Sequence, residues 1–285
     1  MLHISLAAER LWTLWGLPIS NAFITTWVVM AFLIVLCFLA TRKLTLIPGN
    51  AQLMAEMVVG GLHNLFGAIA GRHINQFFPL VASLFIFILA SNWVGLLPGV
   101  GTIGFFRTEE VTVQEQAGEA PAVSEHEATG VAPQAEEVPK EHSKSEFVPL
   151  LRAATADLNM TLALAIVSVM AMQYFGFRNL GTHYISRFIS FKNPINFSVG
   201  LLELISDISK VISFAFRLFG NIFAGEVLLA VIAFLMPFIV PLPFLMLELF
   251  VGFIQALVFS MLSTAFFSVA VSHGEDEHAP SHASK

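Results

Sequence analysis

The chain reads as an all-α membrane protein. We expect about five membrane-embedded helices and one amphipathic surface helix, with the last two membrane helices long, tilted and antiparallel. Three observations carry that expectation. Hydrophobic residues make up 56% of the 285 and charged residues 12%, and the mean hydropathy is +0.77, well outside the range of a soluble domain. Uncharged runs cover residues 22–40, 77–106 and 158–177, each near or above the ~20 residues a helix needs to cross a bilayer. A further block, 211–272, is long enough for two crossings and carries only Arg217, Glu226 and Glu248 as charges. The whole of 1–285 is read as one membrane domain.

Each element follows from its composition. The N-terminal segment has only His3, Glu9 and Arg10 as titratable side chains and no small-residue cleavage site after a short apolar core, so 22–40 is expected to be a true span. The single cysteine, Cys37, lies inside that run, which excludes a disulfide framework or a cysteine-rich metal site. Over 50–72, Met54, Met57, Val58, Leu62, Leu65 and Ile69 recur at helical spacing, with Gln52, Glu56, His63 and Asn64 between them. That pattern predicts an amphipathic helix along the inner surface. The second span is placed at 77–98 and the third at 157–177. Between them, 107–148 is rich in Glu, Ala, Pro, Ser and Gln and nearly devoid of aromatics, the composition of an acidic, flexible outer loop. Pro237, Pro241 and Pro243 lack backbone donors and so place a turn between long helices at 194–236 and 241–272. The polar tail 273–285 holds His273, His278 and His282, which we read as a solvated terminus and not as a metal site.

Lysine and arginine in short loops set the orientation. Arg42, Lys43 and Arg72 fall after the first span and Arg178, Arg187 and Lys192 after the third, which puts the N-terminus outside and the C-terminus inside. The formal charge of −6 comes largely from the loop and the tail and implies no affinity for nucleic acid or anionic lipid. Glycine-rich phosphate loops, nucleophile elbows and metalloprotease helix motifs are all missing from the sequence.

Arg217 is the most informative residue. An arginine at the bilayer centre costs roughly 2.5–3.5 kcal/mol even on the mildest insertion scale, so it persists where it faces a partner or water. At about 100° per residue, Glu203, Ser206, Asp207, Lys210, Ser213, Arg217, Asn221 and Gly225 fall within one third of a helix circumference and form a polar seam. Glu226 points to nearly the opposite side. On the last helix Glu248, Gly252 and Gln255 share a face. Counting back from the proline turn puts Gln255 level with Arg217 and Asn221, and Glu248 level with Glu226.

Bland readings stand beside the functional ones. Ser206, Ser213 and Asn221 suit interhelical hydrogen bonding. Glu203 and Lys210 suit either an interfacial ion pair or a proton path. Asp157, in Thr155-Ala-Asp-Leu-Asn159, suits either a helix cap or a channel role. For Arg217 the bland reading is a lock on the bundle through Glu226 or Glu248, against which its seam faces away from Glu226. Glu226 and Glu248, each isolated in apolar sequence, fit a hydrated cavity.

The segment Arg217-Leu-Phe-Gly-Asn-Ile-Phe-Ala-Gly-Glu226 resembles the signature of the a-subunit family of the F-type ATP synthase. So do Phe78-Pro-Leu-Val-Ala-Ser-Leu-Phe85, Asn92-Trp-Val-Gly-Leu-Leu-Pro-Gly99, Thr155-Ala-Asp-Leu-Asn159 and the helix around Gln255, and the likeness covers nearly the whole chain. It implies a non-catalytic stator subunit of an energy-transducing plasma membrane, passing protons to and from a rotating ring of c subunits. The b-type peripheral stalk subunits and the lipid bilayer are the other partners implied, with no cofactor, nucleotide or nucleic acid. Matched residue by residue, Arg217 falls on the essential arginine. Asn221, Glu226, Glu248 and Gln255 fall on channel positions, with Asp157 and Asn159 added to the outer half-channel and Glu203, Ser206, Asp207 and Lys210 to the inner. Two departures are Ala154, where the family often has proline, and the length of the acidic loop. The alternative is a secondary transporter holding an anionic substrate at Arg217. Against it, the sequence lacks an internal repeat and the broken half-helices such folds use.

Overall fold

The computed structural model describes residues 10–14, 17–42, 45, 49–97, 100, 104–109, 144–149, 151–181, 184, 194–236 and 239–272. Its helices are α1 (Asn21–Thr41), α2 (Asn50–Ala70), α3 (Ile74–Gly95), α4 (Leu158–Leu180), α5 (Pro194–Leu235) and α6 (Pro241–Ser272). Five stretches are long and apolar enough to cross a membrane: Asn21–Thr41, Gln52–Gly95, Leu158–Leu180, Phe197–Leu235 and Pro241–Ser272. The protein is therefore a helical membrane bundle, as composition requires.

Local chemistry sets the helix ends. Ser20 opens α1 by accepting a hydrogen bond from the Phe23 backbone N–H at 3.3 Å. The buried hydroxyls of Thr25 and Thr26 are satisfied by donating to the carbonyls four residues back. Asp157 caps α4, its Oδ1 accepting from the Asn159 N–H at 3.1 Å. Gly71 at φ +54° and Gly181 at φ +61° end α2 and α4 in a backbone region that side chains resist.

The periodic apolar residues of α2 do not all do the same work. Leu62 is buried together with Phe66 and Ala70, whereas Met54, Met57, Val58 and Leu65 are exposed. The helix thus docks on α3 through its second half and leaves the stripe of its first half open. A 3-10 turn at Gly71–His73 leads directly into α3. That helix runs from Ile74 to Gly95, earlier at both ends than the span placed at 77–98, and its last residue, Gly95, meets Ala153 too closely for a Cβ.

The core lies where α3, α4 and α6 meet. Phe77, Phe175 and Phe267 form a mutual cluster with ring centroids 5.0, 5.6 and 5.5 Å apart. Ser168 and Ser263, both buried, face each other at 2.8 Å and tie α4 to α6. Phe214 on α5 stacks on Phe259 of α6 at 4.8 Å, and Gly225 faces Glu248. Both contacts obey one antiparallel register between the two long helices.

Two short antiparallel ribbons were not legible from the sequence. One pairs β1 (Arg10–Leu14) with β2 (Leu17–Ser20), and the other pairs β3 (Gly104–Glu109) with β4 (Lys144–Pro149). The second ribbon adds backbone pairing at both ends of the segment read as an acidic outer loop, matching Gly104 with Pro149 and Glu109 with Lys144. Backbone pairing needs no apolar composition, so the polar sequence concealed it. Asn21 fixes this ribbon to α1 by donating to the Pro149 carbonyl at 3.2 Å. Residues 110–143 and the tail 273–285 lie outside the described residues.

Truncating Phe77 to alanine empties the centre of the aromatic cluster. It should cost about 3–5 kcal/mol of stability and lower the thermal midpoint of the detergent-solubilised protein by several degrees. Phe32→Ala, at a lipid-exposed position, should leave that midpoint unchanged in the same fluorescence melt.

Candidate functional site

Helix α5 buries one side and leaves the other open. Phe214, Ala215, Leu218 and Ile222 are buried, while Ile208, Ile212 and Phe216 are exposed. Arg217 lies on the exposed side with Ser206 and Ser213. The polar seam therefore straddles the edge of the packed face. Asp207 and Gly225 turn inward, Asn221 is half-buried, and Arg217 looks out. Among the described residues the ion pairs are Arg152–Glu226 and Asp207–Lys210, so no carboxylate pairs with Arg217. The bland alternative, Arg217 as a lock through Glu226 or Glu248, finds no support: neither carboxylate pairs with it among the described residues, and the packed face of α5 lies on the other side of the helix.

Toward the α5–α6 turn the acidic residues gather. The Glu226 carboxylate lies 3.4 Å from the Arg152 guanidinium, with the two side chains 40% and 7% exposed. Glu248 is buried and its carboxyl fills the notch left by Gly225, where a Cβ would overlap it. The shared register puts Gln255 level with Leu218, one position from Arg217. Gln255 is buried, and its Nε2 has no hydrogen-bond partner among the described residues. Asp157 is buried beneath this cluster as the α4 cap, while Asn159 points outward.

Asn92 holds the wall behind these groups. Its Nδ2 donates to the Gly252 carbonyl at 3.0 Å and its Oδ1 accepts from the Thr155 hydroxyl at 2.8 Å. Beside it the Trp93 indole N–H donates to the Leu249 carbonyl at 3.2 Å. Buried polar groups this well satisfied rigidify their surroundings, and here they fix the stretch of α6 that carries Glu248.

Toward the start of α5 a second polar group forms. Lys210 Nζ lies 2.6 Å from Asp207, and Gln173 of α4 donates to the other Asp207 oxygen at 2.5 Å. The Tyr184 hydroxyl in turn donates to Gln173 Oε1 at 2.7 Å, its ring seated on Gly176. Lys210 also stands 5.0 Å above the Phe266 ring. The carboxylate on Lys210 among the described residues is thus Asp207, three residues away on the same helix, and of the two readings left open for Glu203 and Lys210 the interfacial pair is not formed. Glu203 is half-buried and Ser206 exposed.

The arrangement is a guanidinium open to the outside of the chain with ionisable groups at two depths on either side of it. Comparison with known proteins decides what kind of chain this is. Residues 23–268 match the family model described as ATP synthase A chain. ATP synthase subunit a of Trichlorobacter lovleyi is 33% identical over 250 residues, which cover 87% of this chain and 85% of that one. The corresponding proteins of Citrifermentans bemidjiense and Gloeobacter violaceus are each 32% identical, covering 89% and 94% of this chain and 89% and 90% of their own. The chain belongs to the ATP synthase A chain family. It is a multi-pass, proton-conducting, non-catalytic subunit of the F-type membrane sector.

Several residues of this A chain escaped the sequence reading. Arg152 stands next to a polar loop, where an arginine reads as solvated, and only the fold shows it buried. Gln173 and Tyr184 surface only through their contact with Asp207. Asn92 left a usable signal, since it is the one amide side chain in the uncharged run 77–98.

Gly225→Ala should force the Glu248 carboxyl out of its notch. ATP-driven acidification of inverted vesicles, followed by fluorescence quenching, should fall at least tenfold while the subunit still assembles.

Proposed function

We propose that this chain is the stator half of a rotary proton path, passing protons through two offset half-channels to and from the carboxylates of a rotating c-ring. The observation that carries this reading is the exposure of Arg217 on an apolar helix face with no carboxylate partner among the described residues. A guanidinium in that position requires an anion from another chain. Arginine does not deprotonate, so it cannot relay the proton. It serves as a fixed counter-ion for a passing carboxylate and as an insulator between the half-channels.

The polar groups support two separated paths. Nine residues of helix, roughly 13 Å, separate Arg217 from Glu226, and seven, roughly 10 Å, separate it from Lys210. Asp157, Asn159, Asn221, Glu226 and Glu248 would line the outer half-channel, with Gln255 near the level of the arginine. Glu203, Ser206, Asp207 and Lys210 would line the inner. A rotor carboxylate must be neutral to cross hydrocarbon. Loading from one side and unloading to the other therefore biases rotation, and each 100 mV of potential adds about 2.3 kcal/mol per proton. The loops rich in lysine and arginine support an outside N-terminus and an inside C-terminus, with α2 along the inner surface and b-type stalk subunits holding the chain against rotation.

Arg217→Ala tests this reading in reconstituted vesicles. Proton-driven ATP synthesis should vanish, while passive proton leak through the membrane sector stays the same or rises. Retained synthesis contradicts the counter-ion role.

A further inference from the structure

Arg152 has no part in the mechanism as described so far, yet it is one of the few buried charges in the chain. Its side chain is 7% exposed, and it stands immediately before the 3-10 turn Ala154–Ala156 and the Asp157 cap of α4. Removing a guanidinium from water is costly unless an anion and well-placed acceptors replace the lost hydration. Among the described residues its carboxylate partner is Glu226, at 3.4 Å from Nη2, and the two residues are 74 positions apart in sequence. The fold brings them together through the contact of the 3-10 turn with α5.

The two partners differ in exposure. Glu226 is 40% exposed against 7% for Arg152, so one flank of the carboxylate is held by protein and the other is open. Glu248 lies on the neighbouring helix in the notch at Gly225, the residue adjoining Glu226. A permanently charged guanidinium holds one flank of the Glu226 carboxylate. It fixes the rotamer of Glu226 without itself exchanging a proton.

We infer that Arg152 is a positioning residue for Glu226, holding that carboxylate beside Glu248 at the mouth of the outer half-channel. This rests on the half-channel reading given above. Arg152 acts through Glu226, so its removal should matter only while Glu226 is present. A residue needed merely to fold the α4 approach would instead impair the protein whatever stands at 226.

The experiment is a double-mutant cycle on passive proton conduction through the intact membrane sector in vesicles stripped of the catalytic head. Arg152→Gln, Glu226→Gln and the double variant are compared at equal amounts of assembled complex. Arg152→Gln is expected to lower conduction about fivefold, and the double variant to match Glu226→Gln alone. Wild-type conduction in Arg152→Gln, or losses that multiply in the double variant, would overturn the inference. Should Arg152→Gln fail to assemble, the cycle is run with Arg152→Lys, expected at a two- to threefold loss alone and none added to Glu226→Gln. Arg217→Ala, assayed separately in vesicles that keep the catalytic head, distinguishes the two levels. If it still supports ATP synthesis, the half-channel reading fails; if it does not and the cycle is additive, only the role of Arg152 fails.

Discussion

One constraint organises this molecule: a guanidinium has to stay charged on an open face of a membrane helix. Arg217 cannot be neutralised by losing a proton, and the packing of Phe214, Ala215, Leu218 and Ile222 turns it away from the acids of its own chain. The helix is therefore incomplete alone. Its open face presents Ile208, Ile212 and Phe216 around one fixed charge, a surface suited to an apolar helix carrying a single carboxylate.

Much of the remaining fold serves to keep α5 in place while leaving that face free. Helix α6 runs antiparallel beside it in one register, set by Phe214 on Phe259 and by Glu248 in the Gly225 notch. Asn92, Thr155 and Trp93 hold α6 from behind by bonding the carbonyls of Gly252 and Leu249 and each other. Gln173 of α4, itself bonded by Tyr184, holds Asp207 of α5. In a bilayer, where apolar packing alone provides little drive for association, such buried polar contacts and small-residue notches carry much of the specificity.

The helices and the arginine were legible because each leaves a local mark. Uncharged runs of about 20 residues have one explanation in a chain this apolar, the three prolines locate the last turn, and a lone charge in such a run draws attention by its cost. Counting along the helices was enough to set Gln255 near the depth of Arg217, since the register of two long antiparallel helices follows from the turn that joins them. What depended on contacts between distant residues stayed hidden. The seam was drawn from helical phase alone, which does not reveal where the packed face ends, so Asp207 and Arg217 were grouped although one turns in and the other out. Spacing alone left Glu203 and Lys210 open as a pair, whereas the buried carboxylate beside Lys210 is Asp207. Arg152 leaves no local mark of its burial, and the ribbon from 104–109 to 144–149 rests on backbone bonds that composition does not encode.

The central claim is that the open face of α5 meets carboxylate-bearing helices of another chain. It is tested most directly by cysteine crosslinking from Ser213, which shares the exposed side with Arg217, in a chain with Cys37 replaced by serine. Oxidation of the intact complex carrying Ser213→Cys, with a cysteine placed beside the ring carboxylate, should give a high-yield disulfide to the small ring subunit. A crosslink formed instead from Phe32→Cys on α1, with none from Ser213→Cys, would contradict the account.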